Sequence, residues 1–243
     1  MNVGNNYPTS MNKALKELID IEVDKPNDLL GLSYIKEIIK NNYNIEPITI
    51  KRTNDYHTKE LESIASATSI REAFNNSIDI TNYIPNEEIK YLIKEPKDEY
   101  FKYLKYKVTT EKNLSIYNSV DEGIDTRIKN YIDKVNNLDE LIENIKTKRY
   151  TYNKISRMLT HIICNYTKED SKNKEIRYIK VLGFNKQGKN YLNNIKSSIT
   201  VPLITNITKD NYNLLHDDII RDKIYYLITD RNENVLEQKP IIK

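Results

Sequence analysis

Ile64-Ala65-Ser66-Ala67-Thr68-Ser69-Ile70-Arg71 places three hydroxyls among small residues and sets Arg71 three positions beyond Thr68. Glu72 follows Ser69 by three, a capping-box spacing, and Ile70, Ala73 and Phe74 open an apolar helical stripe. The stretch therefore reads as a loop entering a helix. A helix N-terminus offers unpaired backbone N–H groups and partial positive charge, and both favour an anion. Ser66, Thr68 and Arg71 at that place could hold a phosphate. The same hydroxyls are also ordinary capping residues, so the residues alone leave a plain helix cap as the competing reading.

Upstream, Ser10 opens a helix with Ala14, Leu15, Leu18 and Ile19 on one face. Residues 1–9 are polar and turn-rich, and are expected to fray. Lys25-Pro26-Asn27-Asp28 reads as a turn, and a second helix follows with Ile35, Ile38 and Ile39 apolar. Ile45–Ile50 (IEPITI) is short and β-branched, and reads as a buried strand. Lys51 and Arg52 lie just past its end, where ligands gather in open α/β sheets. A loop through Tyr56 and His57 then reaches the opening stretch. Helices, one strand and a loop make half of an α/β domain, and one strand alone cannot form a sheet.

After about Ser77 the pattern turns helical. A helix starts at Pro85, 99–108 reads as helix, and Asp121–Val135 and Leu138–Ile145 follow. Tyr150–Tyr166 is the clearest, with a stripe of Ile155, Leu159, Ile162 and Tyr166 flanked by Met158 and Ile163. Arg177–Phe184 alternates as a strand, Lys186–Lys196 is a helix and Val201–Ile204 a short strand, a small strand–helix–strand unit. Leu214–Thr229 is a last amphipathic helix, and Asp230–Lys243 reads as a loose polar tail. The fold class expected is α+β and mostly helical. Residues 1–77 would be the remnant of a Rossmann-like α/β domain, and 78–243 a helical domain containing the strand–helix–strand unit.

Between Lys146 and Arg157 there are five basic residues and no acidic one. Tyr150, Lys154, Arg157 and His161 recur at helical spacing, on one face opposite the apolar stripe. With Lys146, Lys148 and Arg149 they suit an RNA backbone, the ring being available for stacking. A solvated helix face reads equally well.

Composition narrows the rest. The 243 residues carry a formal net charge of only +3, so any polyanion site depends on local clustering. Nineteen tyrosines, five glycines and no tryptophan fit AT-rich codons better than any function. One cysteine, Cys164, excludes an internal disulfide framework and fits a reducing cytoplasm; it reads as a core residue. No run approaches the roughly 20 apolar residues of a membrane helix, so no membrane partner is expected. No GxxxxGK[ST], GxGxxG, HExxH or paired CxxC occurs. His57, His161 and His216 make no metal spacing, and no catalytic residue can be named.

Several stretches together resemble the bacterial tRNA(Met) cytidine acetate ligases. These are Pro26–Tyr34 (PNDLLGLSY), Pro47–Arg52 (PITIKR), Tyr56-His57, Ser66–Arg71, Glu122–Arg127 (EGIDTR), Lys148–Thr151 (KRYT) and Val181–Asn185 (VLGFN), in the family's order. The resemblance implies a nucleotidyltransferase-type ATP domain, with Asn27 and Arg52 at ATP and Ser66, Thr68 and Arg71 on the phosphate side. It implies ATP with Mg2+, acetate as the second substrate, and elongator tRNA(Met) acetylated at N4 of its wobble cytidine through acetyl-adenylate. The family's HxGH motif occurs nowhere in the chain, and His57, followed by Thr58-Lys59-Glu60, does not replace it. By the resemblance, Met1 falls inside the first domain and the chain looks like the carboxyl-terminal part of such an enzyme. Two arrangements follow: an incomplete ligase, or a non-catalytic RNA-binding module working with a separate polypeptide that carries HxGH. A plain helical interaction protein is the third reading.

Overall fold

The structure, a computed structural model, describes residues 7–23, 25–51, 61–85, 92, 94–172 and 174–243. The chain forms two compact units, one from 1–95 with 146–151, the other from 96–145 with 152–243.

In the first unit, α1 spans Tyr7–Ile19, α2 Pro26–Lys40 and α3 Ala67–Asn75. Two expectations change here. Helix α1 begins inside the stretch expected to fray. The expected turn at Lys25–Asp28 is instead the start of α2: Lys25 is the extended N-cap and Pro26 the first helical residue. A proline there loses no hydrogen bond and has its φ already set. The loop between α1 and α2 is tied back by Asn12, whose Oδ1 accepts from the Val23 N–H at 2.7 Å.

Ile45–Ile50 is not a buried strand. It has no regular structure, and Ile48 and Ile50 are 85% and 93% exposed. A strand needs a neighbour to satisfy its backbone, and among the described residues none lies beside it. Leu18, Ile19 and Ile39 also stand exposed on their helices. The helix expected from Pro85 falls largely outside the described residues, as do Arg52, Tyr56 and His57.

The second unit holds a helical core built from α4 (Lys97–Thr110), α5 (Ile124–Tyr131), α6 (Leu138–Ile145) and α7 (Tyr152–Ile163). Helix α4 packs against the other three, and α6 against α5 and α7. Leu104, Ile128, Leu141, Ile142, Ile145, Ile155, Met158, Leu159 and Ile162 are fully buried. The predicted stripe of α7 is thus its core face, except that Tyr166 lies beyond the helix end and is only half-buried.

Glu111 closes α4. Its Oε2 accepts from the Tyr117 hydroxyl at 2.6 Å and from Lys107 Nζ at 3.1 Å, while Oε1 accepts from the Asn113 N–H. The Tyr117 bond first, then the Lys107 bond, holds this carboxyl down at about 2 from its ordinary 4.5. A depressed folded-state value means stability that is present above pH 4.5 and lost as pH falls towards 2. Tyr117→Phe is therefore expected to move the acid-unfolding midpoint, followed by circular dichroism, to higher pH. An unmoved midpoint would show that the bond contributes nothing to acid stability.

The remainder of this unit contains the strands. β1 (Ile179–Lys180) pairs in parallel with β3 (Leu203–Ile204), and α8 (Lys186–Ile195) lies in the crossover between them. This is the expected strand–helix–strand unit, with one change. The stretch read as a single strand, Arg177–Phe184, is two: β2 (Gly183–Phe184) pairs instead with β4 (Ile241–Ile242), also in parallel. Helix α9 (His216–Ile228) comes between. Ile204, Leu215, Ile219 and Val235 form a second buried cluster, with Tyr178, Tyr212 and Tyr226 packed on it. The tail is therefore not loose: Val235 enters this cluster, and Ile241–Ile242 form a strand. A hydrogen-bonding partner distant in sequence orders it, which its polar composition conceals.

Candidate phosphate site and basic segment

Helix α3 starts at Ala67 with Ser66 as its extended N-cap. Ser66 Oγ accepts from the Ser69 N–H at 3.0 Å, Ser69 Oγ donates to the Ser66 carbonyl at 2.9 Å, and the two hydroxyls are 3.1 Å apart. Both serines are buried. The cap is thus a reciprocal Ser66–Ser69 pair, not a box between Ser69 and Glu72. Of the three hydroxyls, Thr68 alone is exposed, and Arg71 is exposed three residues on. Residues at that spacing share a helix face, about 5–6 Å apart at Cβ. No acidic residue lies in the first turn. The terminus therefore presents a hydroxyl, a guanidinium and N–H groups together, without a neighbouring carboxylate in that turn to repel an anion. Asn27 is exposed in the first turn of α2.

The basic segment divides between the units. Lys146, Lys148, Arg149 and Tyr150 belong to the first. Thr147 and Tyr150 close a turn there: the Thr147 N–H reaches the Tyr150 carbonyl and the Tyr150 N–H reaches Thr147 Oγ1, both at 3.0 Å. The three basic side chains are exposed, but Tyr150 is buried, 6% exposed. Helix α7 begins at Tyr152, so Tyr150 precedes it and does not share its face with Lys154 and Arg157. The helix starts two residues later than the periodicity suggested because Thr147–Tyr150 is held in its own turn.

Within the second unit, Lys154 and Arg157 keep the helical spacing, with Arg157 exposed and Lys154 half-buried. His161 is tethered: its Nδ1 lies 3.1 Å from the Asn118 carbonyl, and its ring 5.2 Å from that of Tyr166. Neither partner was legible from local spacing. At the other end of the helix Tyr152 donates to Asp139 Oδ1 at 2.8 Å, and Lys97 Nζ binds Oδ2 at 3.0 Å.

A cleft of about 220 Å3 at the end of α7 is lined by Cys164, Tyr166, Asp170, His216, Asp217 and Arg221 among others. Arg221 lies 5.4 Å from the Tyr166 ring and is paired with Asp218 at 3.1 Å. Cys164 is half-buried, and burial pushes its thiol up, which favours the protonated form. Among the described residues no three His, Cys, Asp or Glu side chains converge to hold a metal, and no helix is long and apolar enough to cross a membrane.

Residues 1–239 match the family model of the HIGH nucleotidyl transferases. The chain belongs to that family. Among curated relatives it is 36% identical over 240 residues to the tRNA(Met) cytidine acetate ligase of Geobacillus sp. (strain WCH70), covering 90% of this chain and 59% of that protein. It is 35% identical over 253 residues to the ligase of the same name from Clostridium acetobutylicum, covering 94% and 63%. The Staphylococcus aureus relative is 34% identical over 252 residues, covering 97% and 65%. The chain thus spans 59–65% of the length of these relatives. Two solved structures of Thermotoga maritima TmcAL share its fold at 20% identity. The apo form gives a TM-score of 0.81 over 99% of this chain and 68% of that one, and the form bound with alpha-thio ATP gives 0.79 over 99% and 67%. This HIGH nucleotidyl transferase is accordingly a mixed α/β protein, dominated by helices with few strands.

Proposed function

We propose that this chain serves an ATP-dependent ligase that joins acetate to N4 of the wobble cytidine of elongator tRNA(Met), in the cytoplasm. The observation that carries this reading is the 36% identity to a tRNA(Met) cytidine acetate ligase, which runs over 240 residues and includes the α3 terminus. Residues 1–77 act as the carboxyl-terminal half of a Rossmann-like ATP domain, and 78–243 hold the tRNA.

In the first step an acetate oxygen attacks the α-phosphorus of ATP and the bond to pyrophosphate breaks, giving acetyl-adenylate. In the second, the cytidine N4 attacks the acetyl carbon, AMP leaves and N4 gives up a proton. Negative charge gathers on phosphate oxygens in the first step, and Arg71, Thr68 and the α3 N–H groups, exposed together at one helix terminus, would stabilise it. Ser66 fixes the terminus through its cap. Asn27 and Arg52 complete the ATP contacts. Mg2+ would enter with the triphosphate, whose oxygens it neutralises. Lys146, Lys148, Arg149, Lys154 and Arg157 contact tRNA phosphates, while Tyr150 and His161 support their segments from within.

No HxGH sequence lies within the 243 residues. That observation favours a second reading, an RNA-binding module without catalysis of its own that works with an HxGH-bearing polypeptide. One experiment separates them. The chain is mixed with ATP, magnesium, labelled acetate and tRNA(Met), with and without a polypeptide carrying the HxGH half. Label on tRNA from this chain alone, or label that needs the HxGH half and is lost in Arg71→Gln, supports the ligase, because this chain's residues then take part in the chemistry. Label that needs the half and survives Arg71→Gln favours the module. Bound but unlabelled tRNA in both favours the module.

A further inference from the structure

Residues 176–209 contain Arg177, Lys180, Lys186, Lys189, Lys196 and Lys209 and not one aspartate or glutamate. Within the second unit several basic residues elsewhere are matched by carboxylates: Lys97 by Asp139, Lys105 by Asp133, Lys107 by Glu111 and Lys168 by Asp121, all within 3.5 Å. The first two basic residues of this stretch are matched as well, because acidic residues of α9 reach them. Arg177 pairs with Asp217 and Lys180 with Asp222, both at 3.4 Å. The two lysines of α8 and Lys196 at its C-cap do not. Among the described residues no carboxylate lies within ion-pairing distance of Lys186, Lys189 or Lys196.

Their placement is ordered. At 3.6 residues per turn, Lys186, Lys189, Asn193 and Lys196 fall within about 80° of arc and extend over about 15 Å of axis. All four are exposed, whereas Gly188, Leu192 and Ile195 on the other side are half-buried. The helix is thus fixed by one side and offers on the other a cationic ridge free of acidic residues. The Asn185 side chain accepts from the Gly188 N–H at 2.8 Å and sets where the ridge begins. Lysines at i and i+3 repel one another, a cost that the opposite sign at either position would remove.

We infer that the outer face of α8 is a second RNA-contacting surface, binding the phosphate backbone of structured RNA through Lys186, Lys189 and Lys196. Asn193 lies among the ammonium groups as an amide donor for phosphate or 2′-hydroxyl oxygens. The choice of RNA as the polyanion rests on the proposed function; the charge and its geometry do not.

The test measures affinity of the chain for tRNA(Met) across a salt series, with the triple substitution Lys186→Gln, Lys189→Gln and Lys196→Gln. Three lost phosphate contacts should flatten the slope of log K against log salt by about 2–3 and weaken binding at low salt at least tenfold. The triple Lys→Arg variant should restore both. If tRNA binding is unchanged in the Gln triple but falls when Lys148, Arg149, Lys154 and Arg157 are replaced, the inference fails while the proposed function stands. Loss of binding to anionic vesicles but not to tRNA would assign the ridge to lipid and overturn it equally. A chain that binds no tRNA at low salt overturns both this surface and the tRNA-holding role of 78–243, leaving acetate activation to be judged by its own assay.

Discussion

On the proposed function, Arg71→Gln is expected to lower acetate activation by about 10²–10³-fold, the usual effect of removing one fixed donor from a developing oxyanion. The argument is geometric. Arg71 sits one turn into α3, with Thr68 on the same face and the Ala67 and Thr68 N–H groups of the first turn near it, the Ser69 N–H being taken by Ser66. Its charge adds to the positive end of the helix and acts most strongly when phosphate oxygens carry most charge. The loss should therefore appear in kcat more than in the KM for ATP. Thr68→Ala removes one neutral hydrogen bond, worth about 0.5–1.5 kcal/mol, so its effect should stay within roughly tenfold. Both are read from labelled acetyl transfer with the HxGH half present. Full activity in Arg71→Gln would place the phosphate site elsewhere.

The largest loss of stability is expected from Leu159→Ala. Leu159 is fully buried on α7, among side chains that include Ile155, Met158 and Ile162. Truncating a buried leucine costs about 2–5 kcal/mol, the lost transfer energy plus the cavity left behind. For a unit of this size each kcal/mol corresponds to about 2–4 °C, so the melting temperature should drop by about 4–20 °C. Leu18→Ala is the contrast. Leu18 is 80% exposed on α1, and its removal should change stability by less than about 0.5 kcal/mol. Equal melting temperatures for the two variants would mean that the α7 stripe is not the core of the second unit.

These two sites also mark what could be read from the chain alone. The α7 stripe was legible because the helical period states which side is buried, whatever it is buried against. The β1–α8–β3 unit was legible for a similar reason, as its strands and crossover are contiguous. Ile45–Ile50 was misread because β-branched composition describes a strand but cannot supply the neighbour it requires. The tail was misread in the opposite direction, since β4 is ordered by β2, some 58 residues earlier. At the α3 terminus the entry of a loop into a helix was legible. Which serine caps it was not, because Ser66 and Ser69 both satisfy the spacing rules and only the backbone bend at Ser66 decides. Tyr150 failed as a surface residue because the helix starts two residues later, at Tyr152, and Tyr150 lies in the turn before it.

The pairing of Gly183–Phe184 with Ile241–Ile242 has a consequence in time. A β-carbon at Gly183 would lie 2.9 Å from the Ile241 carbonyl oxygen, so the two segments meet closely. During synthesis at about 5–20 residues per second, β2 leaves the ribosome some 3–12 s before β4 exists. Through that interval its backbone edge is open to any other nascent strand, the situation in which sheets pair wrongly. Lys180, Lys186 and Lys189 flank it in sequence with like charge, which opposes the approach of a second copy while the native partner is still being made.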